Sequence, residues 1–135
     1  MRWYVNLISD NEIMAAVSVS ISIAIFATII ATILGTITSI GLSKCKKIVR
    51  ELLLNVNNVP IMNPEIVTAI GFMILFSSLR ISKGYMTMLL AHIAFCTPYV
   101  ITSVYPKVKT LDPNLVDAAL DLGATPFQAL YKVLL

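Results

Sequence analysis

Glu65 is the only charged residue between Leu52 and Leu79. A carboxylate among apolar groups is costly unless it is protonated, bonded to a neighbour or in contact with a cation. Two readings follow: a structural acid tied to another helix, or an anchor for positive charge crossing an apolar layer. An acid at membrane depth is a functional candidate by default. Asn63 and Pro64, directly before it, could turn backbone carbonyls toward the same place. His92, the only histidine, could bond a neighbouring helix or hold a ligand, and the first is the more common use. Cys45 and Cys96 lie at different levels of the chain, and no disulfide is expected between them. There is no CxxC, HExxH, Gly-rich phosphate loop or GxSxG. With one histidine and no cysteine–histidine cluster, no metal site is expected within this chain. Nothing in these residues argues for an enzyme, and no cofactor is expected.

The elements that must position these side chains are long and apolar. Hydrophobic residues make up 58% and charged residues 13% of the 135 residues, with a mean hydropathy of +0.87. An ordinary soluble domain carries roughly twice that share of charge. Three blocks reach the ~20 apolar residues that a span requires: Ile13–Leu42 without a charge, Leu52–Leu79 with Glu65 alone, and Gly84–Pro106 with no formal charge. The expected spans are about 13–42, 52–79 and 84–106. The first block is too long for a secretory signal, and only Arg2 precedes it as a basic residue.

Seven of the ten basic residues fall on one side of a three-span chain. Lys44, Lys46, Lys47 and Arg50 lie in or beside the first loop, and Lys107, Lys109 and Lys132 follow the third span. Arg2, Arg80 and Lys83 lie on the other side. The positive-inside rule places the first loop and the terminal segment in the cytoplasm. The net charge of +3 sits next to the spans and calls for no nucleic-acid partner.

Each block carries internal marks. In the first, Ala27, Ala31, Gly35 and Ser39 recur every four residues, and Ser20, Ala24, Thr28, Thr32 and Thr36 form a second such row. Both suit close helix packing. In the second, Asn55, Asn57, Asn58, Pro60, Asn63 and Pro64 predict an irregular, broken stretch, tolerated at membrane depth only inside protein or beside water. Arg50 and Arg80 lie fifteen residues to either side of Glu65. A helical rise of ~1.5 Å per residue would then put Glu65 about midway through the bilayer. In the third, Pro98 predicts a kink.

The terminal segment, 111–135, reads as two short helices broken at a glycine. Asp112 is a good N-cap and Pro113 a good first helical residue. Gly123 can take the left-handed conformation that ends a helix. Thr125 with Gln128 has capping-box spacing, and Pro126 again suits a first helical position. Phe127, Leu130, Tyr131 and Leu134 form one apolar stripe. Such an element could dock into a partner as a lever, or lie as a hairpin on the bundle or the lipid surface.

This segment resembles the EAA loop of binding-protein-dependent ABC importer permeases, whose pattern is Glu-Ala-Ala, three residues, Gly, nine residues, Ile-x-Leu-Pro. Here Asp117 replaces the Glu, Ala118, Ala119 and Gly123 match, Val133 stands for Ile, and Leu135 matches the Leu. Wider similarity runs through Asn63-Pro64-Glu65-Ile66-Val67 and Ala91–Val100 toward the second-permease branch of spermidine/putrescine importers. The resemblance implies an all-helical, polytopic type I importer fold with three of the usual six spans present, one expected before Met1 and two after Leu135. It implies a homologous second permease, two ATP-binding subunits, an external polyamine-binding protein and a bacterial inner membrane as surroundings. ATP hydrolysis would belong to the partner, and Asp117, Ala118, Ala119, Gly123 and Phe127 would couple to it. The substrate path would include Glu65 and Asn63. Two alternatives are a permease piece for another solute and a truncated, non-transporting membrane protein.

Overall fold

The computed structural model describes residues 10–112 and 114–129. Their regular structure consists of six helices: α1 (Asn11–Lys44), α2 (Lys47–Met62), α3 (Glu65–Ser78), α4 (Tyr85–Thr110), α5 (Asn114–Asp121) and α6 (Pro126–Ala129).

Helix α1 starts where Asp10 accepts the backbone N–H of Glu12 at 2.9 Å. Its 34 residues make a rod of roughly 50 Å, well beyond the ~30 Å hydrocarbon layer. Several of its hydroxyls are turned back onto the helix. Ser20 donates to the Ala16 carbonyl at 2.9 Å and Thr38 to that of Leu34 at 2.7 Å. Ser39, fully buried, donates to Gly35 O at 2.8 Å. Local bonds of this kind let a polar side chain sit in an apolar layer without an unmet donor.

The main packing is α1 on α4. It uses one of the two small-residue rows: Ala27, Ala31, Gly35 and Ser39 are buried, whereas Ser20, Ala24, Thr28 and Thr32 stay exposed. At Gly35 the helices nearly touch. A Cβ placed there would stand 2.5 Å from Val100 Cγ1 and 2.7 Å from Val100 Cβ. Toward the far end of this seam, Leu42, Ile101 and Tyr105 form the buried cluster, with Leu54 of α2 against it.

Helix α4 begins at Gly84, where Thr87 Oγ1 accepts the Gly84 N–H at 2.9 Å and donates to the Gly84 carbonyl at 2.8 Å. It continues through Pro98 and Pro106 to Lys107 and Lys109 in its last turn, where cations suit the helix dipole. Helix α2 is tied to it by Asn57, whose Nδ2 donates to Pro98 O and to Thr102 Oγ1, each at 3.2 Å.

The second expected span is where structure and expectation part. Asn55, Asn57, Asn58 and Pro60 lie inside one helix, α2. The break is confined to Asn63-Pro64, and there α2 and α3 meet at 101°. Asn63 is extended, with φ −80° and ψ 143°, because the ring of the following proline crowds out the helical conformation. The straight-rod arithmetic that put Glu65 at mid-bilayer therefore does not apply: Glu65 is the first residue of a new helix running in another direction. Helices α1 and α4 are each long and apolar enough to cross a membrane, and α2 with α3 supply a third crossing only if the bent pair counts as one span.

Helices α3 and α5 end in the same way. Ile81 N–H bonds to Phe76 O at 3.0 Å and Arg80 N–H to Ser77 O at 3.1 Å; Ala124 N–H bonds to Ala119 O at 3.0 Å and Gly123 N–H to Leu120 O at 2.9 Å. Both are Schellman motifs, which place one residue at positive φ. That residue is Arg80 at 53° in the first and Gly123 at 83° in the second. A side chain makes the left-handed conformation cost roughly 1–2 kcal/mol, so only the second end is free of strain.

Candidate functional site

A cavity of about 200 Å³ opens between α3 and α4. From α3 it is lined by Glu65, Thr68, Ala69 and Phe72, and from α4 by Ala91, His92 and Phe95. The α3 residues stand at i, i+3, i+4 and i+7, a single helical face. Glu65 and His92 are exposed, and Phe72 and Phe95 are half-buried. Each aromatic is backed by another one turn on: Phe72 stacks on Phe76 with centroids 6.1 Å apart, and Phe95 tilts against Tyr99 at 5.5 Å. Such pairs prefer a limited set of ring orientations and restrict the walls.

Glu65 forms no ion pair or side-chain hydrogen bond among the described residues; the ion pair found there, Lys47–Glu51 at 3.9 Å, is an exposed i,i+4 contact on α2. A carboxylate sharing a cavity lining with two aromatic side chains is an arrangement that suits a cation. His92 Nδ1 lies 2.8 Å from Met88 O. A carbonyl can only accept, so the proton is on Nδ1, and in the neutral ring Nε2 keeps its lone pair. Asn63 sits at the α2–α3 bend as the C-cap of α2 and is not among the lining residues.

His92 is the residue that the sequence kept apart from this site. It lies 27 positions from Glu65, and no spacing rule links two helices across a turn.

The second candidate is the terminal element. Asp112 Oδ1 accepts the Asn114 N–H at 2.9 Å, so Asp112 caps α5 as its type suggested; Pro113 lies outside the described residues. Asp117 and Ala118 are exposed on α5 and Ala119 is half-buried. Gly123 carries the left-handed conformation expected of it. Thr125 N–H bonds to Gln128 Oε1 at 3.0 Å, and Gln128 N–H to Thr125 Oγ1 at 3.3 Å, a reciprocal capping box at the start of α6. Phe127 is in α6, with its side chain outside the described set, as are Leu130, Tyr131 and Leu134 of the expected stripe.

The family model for the binding-protein-dependent transport system inner membrane component matches residues 31–135. The spermidine/putrescine transport system permease protein PotC of Escherichia coli K12 is 34% identical over 134 residues, covering 99% of this chain and 51% of that protein. PotC of Haemophilus influenzae is 34% identical over 133 residues, 98% of this chain and 52% of its own length. The putrescine transport system permease protein PotI of E. coli K12 is 33% identical over 141 residues, 99% of this chain and 50% of its own length. The chain thus spans about half the length of these relatives. Its helices are those of a multi-pass membrane protein and form part of the all-α type I ABC importer permease fold. The chain belongs to the family of inner membrane components of binding-protein-dependent transport systems.

Proposed function

We propose that this chain acts in the membrane-spanning permease of an ATP-driven importer of polyamines, of the spermidine/putrescine type. The observation that carries the reading is the 34% identity with PotC along 134 residues, running through both the Glu65 region and the terminal element. A cationic cargo also suits the cavity, whose lining includes the Glu65 carboxylate and the aromatic side chains of Phe72 and Phe95.

On this reading the chain works beside a homologous second permease, a dimer of ATP-binding subunits and an external solute-binding protein, in a bacterial inner membrane. ATP is hydrolysed by the partners. The basic residues around Lys44–Arg50 and Lys107–Lys109 mark the cytoplasmic side. The segment 111–135 is the coupling loop: Asp117, Ala118, Ala119, Gly123 and Phe127 dock into the ATP-binding subunit, and its motion is passed to α4 through Leu111 and Asp112. Glu65, with Asn63 at the bend below it, contributes to the cargo path.

The test is transport by the complete complex. The importer is purified from host membranes through a tag on this subunit and reconstituted with its solute-binding protein outside and ATP on the side of the ATP-binding subunits. Accumulation of labelled spermidine or putrescine that depends on ATP is expected. Transport of an unrelated solute without any polyamine uptake would overturn the cargo assignment, and a preparation lacking an ATP-binding subunit would overturn the coupling assignment.

A further inference from the structure

Resting on the importer reading and on the coupling role of the terminal segment, we propose that Asn57 is a positioning residue. Through it, movement of the loop-side half of α4 reaches α2 and the cavity wall on α3. Among the described residues, side-chain hydrogen bonds join different helices at two places. Ser22 Oγ lies 3.1 Å from Tyr85 Oη, linking α1 to the start of α4. Asn57 Nδ2 donates to Pro98 O and to Thr102 Oγ1, each at 3.2 Å, linking α2 to the middle of α4.

The second link is closed. A carbonyl can only accept, so the amide nitrogen of Asn57, not its oxygen, must face Pro98. Thr102 Oγ1 gives its own proton to Pro98 O at 2.9 Å, which leaves its lone pairs for the other N–H of Asn57. Both amide donors are used, and every proton in the group has an acceptor. An alkyl side chain at position 57 could replace neither bond.

Its place on α4 gives the link a use. Pro98 has no N–H, so the Ala94 carbonyl lacks the helical bond it would otherwise receive from that position. Thr97 and Thr102 both turn their hydroxyls back onto the helix, to Ile93 O at 2.6 Å and to Pro98 O, and such bonds favour bending. Helix α4 therefore yields most easily at this step. Before it stand Ala91, His92 and Phe95, which line the cavity. After it come Ile101 and Tyr105 in the buried cluster, and then the terminal segment. Asn57 grips the Pro98 carbonyl and Thr102, both on the loop side of the missing bond. A tilt of that half is passed to α2, which ends at Met62 in the 101° bend that starts α3. The α3 wall of the cavity then shifts against the α4 residues that precede Pro98.

The experiment compares spermidine uptake with ATP hydrolysis in the reconstituted importer, as molecules carried per ATP. Asn57→Leu keeps the side-chain size and removes both donors. It should lower that ratio about threefold to tenfold, the weight of one or two hydrogen bonds between helices. The amount of assembled complex and its ATP hydrolysis without solute-binding protein should stay unchanged. Thr102→Val should lower the ratio about twofold, and Thr102→Ser, which keeps the hydroxyl, should match wild type. Added to Asn57→Leu, Thr102→Val should lower it no further, because both act on one link. A wild-type ratio in Asn57→Leu, or less assembled complex with an unchanged ratio, would overturn the proposal. Should Asn57→Leu fail to assemble, the threonine pair decides, and equal ratios for Thr102→Val and Thr102→Ser would overturn it. Failure of the polyamine reading shows separately, as a wild type that carries another solute, and the ratio measured with that solute tests Asn57 in the same way.

Discussion

At the scale of single residues, Glu65 is where charge and position coincide. It begins α3, faces the cavity and has no ionic partner among the described residues. Glu65→Gln in the complete importer should lower polyamine uptake per assembled complex by about tenfold or more, since a hydrogen bond to a charged group is worth roughly 1.5–3 kcal/mol. Glu65→Asp should lose less, because it keeps the charge and shortens the reach. If the acid instead holds a neighbouring helix, its loss would reduce the amount of complex and leave uptake per complex unchanged, and quantifying both separates the two roles. Gly123 is the other residue whose type decides an outcome. Among the described residues nothing lies within 4 Å of a Cβ built there, so a substitution is opposed chiefly by the backbone, through its φ of 83°. Gly123→Val should cost roughly 1–2 kcal/mol locally and change the angle between α5 and α6. The expected readout is weaker co-purification of the ATP-binding subunit with unaltered membrane insertion; full co-purification with normal uptake would count against a docking role.

At the scale of elements, the contact between α1 and α4 is set by backbone approach. A methyl group at Gly35 collides with Val100 at two atoms, and Val100, branched at Cβ, has little rotamer freedom in a helix to escape it. Gly35→Ala should destabilise the importer by about 1–3 kcal/mol through overpacking. Gly41, in the same helix, has nothing within 4 Å of its Cβ position among the described residues, and Gly41→Ala should be neutral or stabilising by about 0.5–1 kcal/mol. Thermal unfolding of the detergent-solubilised complex should show the Gly35 variant melting lower and the Gly41 variant unchanged or higher. Equal shifts for both would mean that helix propensity, not the seam, governs the response. The bend between α2 and α3 is a second case of local chemistry with a large effect. One proline forces Asn63 out of the helical region and turns the chain by 101°, whereas Pro60 is absorbed within α2. The two differ in what precedes them: Val59 remains in helix, and Asn63 does not.

At the scale of the whole molecule, much apolar surface is left uncovered. Ile21, Ile25, Ile29, Ile33 and Ile37 recur every four residues along α1, and each is more than half exposed. A surface of this kind belongs against lipid or other helices, in keeping with a chain that spans about half of its relatives. The charge distribution then gives a topology that can be checked. Cysteines replacing Lys46 and Lys107 should react with membrane-impermeant reagents only from the cytoplasmic side, and one replacing Lys83 only from outside. Labelling of the Lys107 position in intact cells would refute both the orientation and the coupling role of the segment that follows it.

What the sequence determined by itself was local. Asp112 as a cap, the left-handed Gly123 and the Thr125–Gln128 box each depend on a few neighbouring residues, and each can be read from type and spacing. The apolar blocks announced a membrane protein for the same reason, since the cost of burying backbone and charge in lipid acts on every residue of a span. Tertiary structure decided what depends on distant partners. The two small-residue rows of α1 were equivalent on paper; Val100 and Ile101 on α4 selected the row containing Gly35, because only there can the backbones approach. The crowd of asparagines and prolines in the second block suggested disorder of the helix over ten residues, yet Asn57 found partners in Pro98 and Thr102, and the break shrank to one step. The joining of Glu65 to His92 required both the turn at Arg80–Gly84 and the direction of α3 after its bend. No pattern along the chain encodes a relation between residues that only the angle of two helices brings to one cavity.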